Sequence, residues 1–425
     1  MSASPPGMAA PLAGGARRPR LAVVASHPVQ YQAPWYRALA SLLDLRVFFA
    51  HRASPADQAR AGFDVRFDWD VPLLEGFEFE WLENTAADAG VDRFFGCNTP
   101  GVAQALERGR FDAVVVNGWH LWTYWQAIRA ARRAATPVMV RGDSQLATAR
   151  GLLRRGGKRL LYPRLLRSFD ACLVVGRRNA DYYRHYGVPS ERLFSSPHCV
   201  DNAFFARHAA IARQDRSALR RELGLPSDAV VFVFVGKLVE KKRPLDFLRA
   251  LDAVAREHPS AHGLVVGDGA LRARLESHRS RHGTSCAFGG FVNQSAMARA
   301  FAAADALVLP STAGETWGMV VNEAMACGIP AIVSDQAGCA PDLIVERETG
   351  LTYPCGDVGA LAERMTRLAA DAELRAAMGR RAATHVARFS PEAAADGVLR
   401  ALAGLGCLRD RHPGLEPDHA IDVAS

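Results

Sequence analysis

Two glutamates in the second half of the chain are the residues whose type and spacing best suit chemistry. Glu315 and Glu323 have seven residues between them, and the apolar run 306–309 precedes both. Gly328 is suited to end a helix that contains Glu323. A strand, a loop and a helix in this order bring free backbone N–H groups, with the positive end of the helix dipole, to the carboxyl edge of a sheet. The pattern predicts a site for an anion there.

The backbone groups of this predicted anion site belong to Thr316, Trp317, Gly318 and Met319. Gly318 lets a phosphate come close to the backbone because it has no side chain. The two neighbouring carboxylates accept hydrogen bonds only, which suits the hydroxyls of a ribose and of a sugar. Taken singly, each glutamate is also explained as a solvated or helix-capping residue.

A group of basic residues follows another apolar run, 230–235. Gly236 and Lys237 end that run, and Lys242 stands five residues further on. Cations at the carboxyl end of a strand are placed to meet a pyrophosphate in the crevice of an open α/β sheet. Each charge-assisted hydrogen bond contributes about 1.5–3 kcal/mol, so two lysines neutralise much of a leaving diphosphate. The alternative interpretation is a solvated run of surface charge.

The elements that must position these residues follow from the alternation of short apolar runs with helical stretches. This order is typical of parallel sheets built from βαβ units. It predicts an α/β fold with two Rossmann-like domains, whose parallel sheets face a cleft at the carboxyl ends of their strands. The predicted strands are 21–25, 45–50, 113–117, 138–141 and 172–176 in the first domain, and 230–236, 263–266, 306–309 and 331–334 in the second.

The predicted division of the chain has five parts. The break between the domains follows Val200, where Asp201 and Asn202 come before a polar helical segment, 214–223. The five parts are a disordered tail (1–19), an N-terminal Rossmann-like domain (20–202), a C-terminal Rossmann-like domain (203–388), a helix that we expect to pack back on the N-terminal domain (389–406) and a second tail (407–425).

The length and composition of the chain indicate a globular protein with more than one domain. A chain of 425 residues is too long for one hydrophobic core. Its 49% hydrophobic and 23% charged residues are ordinary for a globular protein. The net charge of +8 favours an anionic partner, either a phosphate, a membrane surface or a nucleic acid.

The eight cysteines include no C-x-x-C pair, a pattern that suits reduced thiols in a cytosol. No run of about 18 apolar residues predicts a membrane-spanning helix. The basic group near the start follows the apolar part, which disfavours a signal peptide. We therefore expect a cytoplasmic protein.

The second half, from about residue 230 to residue 368, resembles the donor-binding domain of the retaining GT-B glycosyltransferases of the large family four. The signature of that family is a Glu, seven residues and another Glu, which Glu315 and Glu323 match. The resemblance implies that Glu315 orients the sugar and that Glu323 binds the ribose. It also implies that a basic pair, usually Arg then Lys, binds the diphosphate. Lys237 and Lys242 fill those places, with Lys in place of Arg.

The first half resembles the family less. Segment 27–31 follows the first strand, where many relatives have a glycine-rich loop, and the absence of G-x-G-x-x-G weighs against a nicotinamide dehydrogenase. Many members also place a His near the sugar after a strand like 138–140, but segment 141–144 reads Arg-Gly-Asp-Ser. His120 is a catalytic candidate that lines the cleft instead. A structural histidine is the alternative.

An alternating stretch is similar to the D-x-D metal motif of other glycosyltransferases. Asp68 and Asp70 lie among apolar residues at every second position from 63 to 71. We interpret the stretch as a half-buried strand with a solvated acidic face. This interpretation predicts an enzyme without a metal site.

The resemblance implies a retaining, metal-independent, hexosyltransferase-type enzyme without a cofactor. It would transfer a sugar from a UDP- or GDP-linked donor to a glycan, a lipid-linked or glycolipid acceptor, or a small molecule. The nearest alternatives are a GT-B phosphorylase and a sugar-nucleotide epimerase. A non-catalytic nucleic-acid-binding protein is a further alternative from a different class, but the chain contains no recognised nucleic-acid module, so we expect no nucleic-acid partner.

A basic stretch predicts contact with an anionic membrane. Residues 150–167 contain seven Arg or Lys and six Leu, with no acidic residue. Segments of this composition bind lipid interfaces by apolar burial and electrostatic attraction. The protein would then be peripheral at the inner face of the membrane. The alternative is a solvated outer helix.

Overall fold

Two parallel β-sheets, each flanked by helices, make up the part of the chain that the computed structural model describes, which is residues 18–59, 62, 64–147 and 152–408. The first sheet has seven strands in the order β3-β2-β1-β4-β5-β6-β7, and the second has six in the order β10-β9-β8-β11-β12-β13. Every pairing in both sheets is parallel. The predicted α/β fold with two Rossmann-like domains is confirmed.

The N-terminal domain alternates strands and helices. Its strands are β1 (Arg20–Ala25), β2 (Asp44–Phe49), β3 (Glu78–Trp81), β4 (Ala113–Val116), β5 (Val138–Gly142), β6 (Ala171–Val174) and β7 (Leu193–Ser195). Its helices are α1 (Ala33–Leu42), α2 (Pro55–Gln58), α3 (Val102–Gly109), α4 (Trp122–Arg133), α5 (Leu152–Leu166) and α6 (Arg177–His185).

The C-terminal domain repeats this plan after two connecting helices, α7 (Asn202–Ala212) and α8 (Arg216–Glu222). Its strands are β8 (Val230–Val235), β9 (Ala261–Val266), β10 (Cys286–Gly290), β11 (Ala306–Leu309), β12 (Ala331–Ser334) and β13 (Gly350–Tyr353). Its helices are α9 (Pro244–Glu257), α10 (Arg272–His282), α11 (Gln294–Ala303), α12 (Met319–Ala326), α13 (Ala340–Leu343), α14 (Val358–Ala370) and α15 (Ala372–Val386).

Strand β8 illustrates why the central strands are visible in the sequence. Val231 and Val233 pack into the core on one face of the sheet, and Phe232 and Phe234 pack into the core on the other. A strand buried on both faces needs a continuous apolar run, which is what the sequence shows. All nine predicted strands are present, with ends that differ by at most two residues.

The prediction missed β3, β7, β10 and β13, which are the four edge strands of the two sheets in the described residues. An edge strand is covered less completely, so its sequence need not be continuously apolar. Strand β3 reads Glu-Phe-Glu-Trp, and β10 ends in two glycines.

The alternating stretch is not a strand, so that part of the prediction is wrong. We call residues 64–71 the cleft segment; the first residue of the predicted strand, Phe63, lies outside the described residues. The alternation itself persists, since Val65, Phe67 and Trp69 are half-buried while the polar residues between them are exposed. The apolar side chains pack on the other domain instead of on a sheet: the Phe67 and Phe291 rings lie 4.3 Å apart.

Helix α16 (Pro391–Gly404) crosses back to the N-terminal domain. Its buried residues, among them Val398 and Leu402, share one core with Leu21 of β1. Ser196 donates a hydrogen bond of 2.8 Å to the Ala394 carbonyl. The predicted tail 407–425 begins too early, because Leu408 is buried in the same core. Residues 409–425 of that tail lie outside the described residues.

Helix α5 covers most of the basic stretch 150–167, with Pro163 inside it. Leu160 and Leu161 on this helix are 65% and 62% exposed. Residues 150 and 151 lie outside the described ranges. In those ranges, no helix is both long and apolar enough to cross a membrane.

Candidate active site between the domains

A cavity of 410 Å³ lies between the domains, at the carboxyl ends of β1, β8 and β9. Six of the ten predicted site residues line it, namely Gly236, Lys237, Lys242, Glu315, Met319 and Glu323. The N-terminal domain contributes residues that include His27, Gln30, Tyr31 and Trp69. Side chains that are distant in sequence therefore face one cavity that is partly open to solvent.

An ion pair between Lys242 and Glu315 lies in the wall of this cavity. Lys242 donates a hydrogen bond from Nζ to a carboxylate oxygen of Glu315, and Ser311 donates to the same oxygen at 3.4 Å. The Lys242 and Glu315 side chains are 13% and 14% exposed. The N–H of Thr312 donates to the Lys241 carbonyl at 2.8 Å, which ties the turn carrying Lys242 to the loop carrying Glu315. A bound anion would compete with Glu315 for Lys242.

Lys237 is the second cation of the cavity. Its pKa is lowered to about 8, first by burial and then by the positive charges of Lys241 and Lys242, against the opposite effect of Glu315. Burial and the neighbouring cations make the charged form of Lys237 unfavourable. A nearby anion would stabilise that charged form. This electrostatic arrangement favours an anionic ligand such as a diphosphate between Lys237 and Lys242.

Glu323 is a buried carboxyl group that faces the same cavity. Glu323 lies four residues after the first residue of α12, just over one turn into the helix. Gln294 donates a hydrogen bond of 3.2 Å from Nε2 to Glu323 Oε1. Burial raises the pKa of Glu323 to about 7, although Gln294 and Lys242 act in the opposite direction. The remaining oxygen lone pairs are available to ligand hydroxyls.

The N-terminus of α12 also reaches the cavity, through Met319 and Val320. Gly318 is the N-cap, with φ of 113°, and no side chain caps the helix. Glycine is favoured at this position for two reasons. The positive φ strains any residue with a side chain, and a Cβ atom would lie 2.8 Å from Leu309 Cδ2. The helix dipole adds a partial positive charge at this end.

Thr316 and Trp317 do not line the cavity but join the two domains. Thr316 donates from Oγ1 to the Asp143 carboxylate at 2.6 Å. Trp317 is buried, donates from Nε1 to Asn322 at 2.8 Å and lies 5.4 Å from the His198 ring. Their side chains therefore hold the loop of Glu315 against the N-terminal domain.

A second cavity, of 210 Å³, adjoins the first on the side of the N-terminal domain. Asn117, His120, Arg141, Asp143 and His198 line it, and it shares His27, Val29 and Tyr31 with the larger cavity. His120 thus faces the N-terminal cavity and not the cavity that holds the ion pair.

Three residues that line this second cavity also carry a side-chain atom that is buried and without a hydrogen-bond partner among the described residues. These atoms are Asn117 Oδ1, Arg141 Nε and His198 Nδ1. Arg141 stacks its guanidinium 4.5 Å from the Trp35 ring and donates to the Pro197 carbonyl at 2.9 Å. Burial lowers the pKa of His198 well below its usual value, and lowers that of His120. The polar side chains that line the cavity, among them Asn117, His120 and Asp143, include donors and acceptors that suit a hydroxyl-rich ligand.

Segment 141–144 stands where the family resemblance implies a histidine. This segment and the neighbouring Gln145 contact the C-terminal domain. Arg141 and Asp143 line the N-terminal cavity, while Gln145 donates from Nε2 to the carbonyls of Ala313 and Glu315 at 2.8 and 3.1 Å. The sequence did not reveal this role, because nothing in the local pattern shows which loop of the other domain lies opposite.

Gln294, Phe291 and Trp69 line the main cavity without having been predicted. The first two follow the edge strand β10, which the sequence did not show. The sequence did contain a signal at Trp69, namely the alternation of apolar and polar residues in the cleft segment. We interpreted that alternation as a strand.

Asp70, the second acid of the D-x-D stretch, accepts hydrogen bonds from the Ser295 backbone N–H at 2.9 Å and from the Ser295 hydroxyl. Within the described ranges, no group of three or more His, Cys, Asp or Glu side chains is arranged to hold a metal ion.

Comparison with known proteins supports the two-domain assignment. The family model for "Glycosyl transferase 4-like domain" matches residues 28–195, and that for "Glycosyl transferases group 1" matches residues 215–385. The D-inositol 3-phosphate glycosyltransferase of Saccharomonospora viridis is 32% identical over 195 residues, which is 43% of this chain and 45% of that protein.

A second relative is the GDP-mannose-dependent monoacylated alpha-(1-6)-phosphatidylinositol monomannoside mannosyltransferase of Corynebacterium glutamicum. It is 32% identical over 179 residues, which is 41% of this chain and 46% of the relative. The chain thus spans just under half of the length of each of these two relatives.

Solved structures share the whole fold. The Anabaena protein HepE, in complex with UDP and glucose, is similar over 90% of this chain and 99% of its own, with a TM-score of 0.68 and 17% identity. A glycosyltransferase from Rickettsia africae is similar over 91% of this chain and 99% of its own, with a TM-score of 0.71 and 12% identity.

Two Rossmann-like domains that face each other across a shared cleft define the GT-B class of proteins. The two family models match consecutive halves of the chain. The chain therefore belongs to glycosyltransferase family 4.

Proposed function

We propose that the protein transfers a sugar from a nucleotide diphosphate sugar to a hydroxyl-bearing acceptor. The observation that carries this proposal is the convergence of Lys237, the Lys242–Glu315 pair and the buried Glu323 on one cavity. Two cations suit the diphosphate, Glu323 suits the ribose hydroxyls, and Glu315 lies beside the diphosphate, where the transferred sugar must be.

Electrostatic stabilisation of the leaving group is the main catalytic contribution. Negative charge grows on the diphosphate as the glycosidic bond breaks, and Lys237, Lys242 and the N-terminus of α12 stabilise it. Lys242 is held in place beforehand by Glu315. Because these groups supply the positive charge, the proposed reaction needs neither a metal ion nor a cofactor.

We propose that the acceptor binds in the smaller cavity. The two cavities share His27, Val29 and Tyr31, so an acceptor hydroxyl there would lie next to the donor sugar. Polar side chains that line the smaller cavity, among them Asn117, His120 and Asp143, suit a sugar or polyol. Membership of the family favours retention of configuration, with attack on the face that the diphosphate leaves.

The test is an incubation with UDP- and GDP-linked hexoses and hydroxyl-rich acceptors, including inositol phosphates and phosphatidylinositol mannosides, with and without EDTA. We expect a glycosylated product whose anomeric configuration, read by NMR, matches that of the donor, and equal rates in EDTA. In a parallel incubation of a glycan with inorganic phosphate, release of a sugar 1-phosphate would indicate a phosphorylase. An isomerised nucleotide sugar would indicate an epimerase. Loss of turnover in EDTA would contradict the proposed mechanism.

We also propose that α5 contacts an anionic membrane surface. Leu160 and Leu161 are exposed on this basic helix, and apolar side chains among cations add to electrostatic attraction at a lipid interface. Replacing both leucines with serine should reduce co-sedimentation with phosphatidylserine vesicles at low salt. The matched control is Ile211→Ser on α7, which is 56% exposed. Equal sedimentation of both variants and the wild type would contradict this proposal.

A further inference from the structure

The cleft segment connects the N-terminal domain to one loop of the C-terminal domain. Phe67 packs on Phe291 with ring centroids 4.3 Å apart. The Asn293 side chain donates to the Asp68 carbonyl at 2.7 Å, and the Ser295 N–H donates to the Asp70 carboxylate at 2.9 Å. Three residues of the cleft segment thus hold residues 291–295, where β10 leads into α11.

Trp69 lies in the middle of these contacts and lines the main cavity. Its ring makes a T-shaped contact with Phe67, with centroids 4.9 Å apart. Phe291 lines the cavity beside it, together with Val292 and Met297. This part of the wall is apolar and aromatic, unlike the part that carries the lysines.

The order of groups in a nucleoside diphosphate indicates what this wall contacts. The ribose separates the base from the diphosphate, so a ribose at Glu323 with its diphosphate at Lys237 and Lys242 directs the base away from the lysines. Gln294, the first residue of α11, donates a hydrogen bond to Glu323 and belongs to the same segment, 291–295. The base would therefore lie beside the loop that the cleft segment holds.

We propose that Trp69 stacks on the nucleobase of the donor, so that the N-terminal domain completes the nucleotide site. This inference rests on the proposed function. Stacking of a base on an aromatic ring changes affinity by about ten- to a hundredfold. The contacts of Asp68 and Asp70 with the loop hold Trp69 in this position.

The test compares two nucleotides with a ligand that lacks the base. Calorimetry would measure binding of UDP, GDP and ribose 5-diphosphate to the wild type, Trp69→Ala and Trp69→Phe. We expect Trp69→Ala to bind the nucleotide about tenfold more weakly and to bind ribose 5-diphosphate as the wild type does. Trp69→Phe should retain most of the affinity, because its ring can still stack.

Two controls separate stacking from structural support. Trp122→Ala, in α4 and outside the cavity lining, should leave the affinity for both ligands unchanged. Asp70→Asn weakens the attachment to Ser295 and should reduce nucleotide binding selectively, by less than Trp69→Ala. Melting temperatures would show that each variant is folded.

Equal losses for both ligands in Trp69→Ala, or no loss for the nucleotide, would overturn the stacking inference and leave the proposed function intact. If the wild type bound neither nucleotide, the proposed function would fail and this inference with it.

Discussion

Replacing Lys242 with alanine is expected to lower kcat for sugar transfer by about a hundred- to a thousandfold, the usual effect of removing one preorganised group that stabilises charge in a transition state. Lys242 is 13% exposed, so its charge acts in a weakly solvated space. The diphosphate gains charge as it departs, and the loss should therefore appear in kcat as well as in donor binding. Steady-state kinetics with saturating acceptor would measure both.

Lys241→Ala is the matched control, because Lys241 belongs to the same short turn and its side chain is exposed. It should change kcat by less than about threefold, as surface substitutions usually have small effects. Removing Lys242 also leaves the carboxylate of Glu315 without its cation. The double variant Lys242→Ala with Glu315→Gln therefore serves to separate that secondary effect. Normal kcat in Lys242→Ala would show that the leaving group is stabilised elsewhere.

Replacing Glu323 with glutamine is expected to lower kcat/KM by about ten- to a hundredfold, because a hydrogen bond to a charged group contributes about 1.5–3 kcal/mol. The same change should stabilise the ligand-free protein at neutral and alkaline pH. Burial raises the pKa of Glu323 to about 7, so the folded protein must ionise a buried carboxyl group as the pH rises.

The sign of the pH dependence follows from the direction of this pKa shift. The ordinary pKa of the group is 4.5, so the stability that the protonated Glu323 contributes is complete below pH 4.5 and is lost as the pH rises through about 7. Glutamine cannot ionise. The difference in melting temperature between Glu323→Gln and the wild type should therefore be smallest near pH 4.5 and largest above pH 7.

The control for both effects is Glu363→Gln, on the exposed face of α14. It should change neither transfer nor the pH dependence of unfolding. A Glu323→Gln enzyme with normal kcat/KM would remove Glu323 from the donor site. An unchanged pH dependence would show that burial does not hold its pKa high.

Contacts between the domains also determine whether the site is complete. Gln145 bonds the backbone of the loop that carries Glu315, Thr316 bonds Asp143, and the N–H of Arg177 bonds the Asp342 carboxylate at 3.0 Å. Each contact joins residues that follow a strand at the carboxyl end of one sheet to residues that follow a strand at the corresponding end of the other. The position of Glu315 in the cleft therefore depends on both domains.

The pattern of apolar and charged residues along the chain predicts most of the fold and six of the residues that line the candidate site. Buried parallel strands need continuous apolar runs, so the interior strands, such as β8 and β11, appear in the sequence at nearly their observed positions. Edge strands carry no such requirement, and all four were missed. Gly236, Lys237 and Lys242 followed from their place after β8, because the carboxyl end of a strand is where an open sheet binds ligands.

The cleft segment shows what an alternation of apolar and polar residues cannot predict. Period-two burial requires only an extended chain with one covered side, and the covering surface is equally well a sheet neighbour or another domain. The two α/β domains, the basic pair and the spaced glutamates could be predicted because they depend on the order of residues along the chain. The positions of Trp69, Gln145 and Gln294 at the cleft could not, because they depend on packing between the domains, and the local sequence does not indicate which residues of the other domain lie opposite.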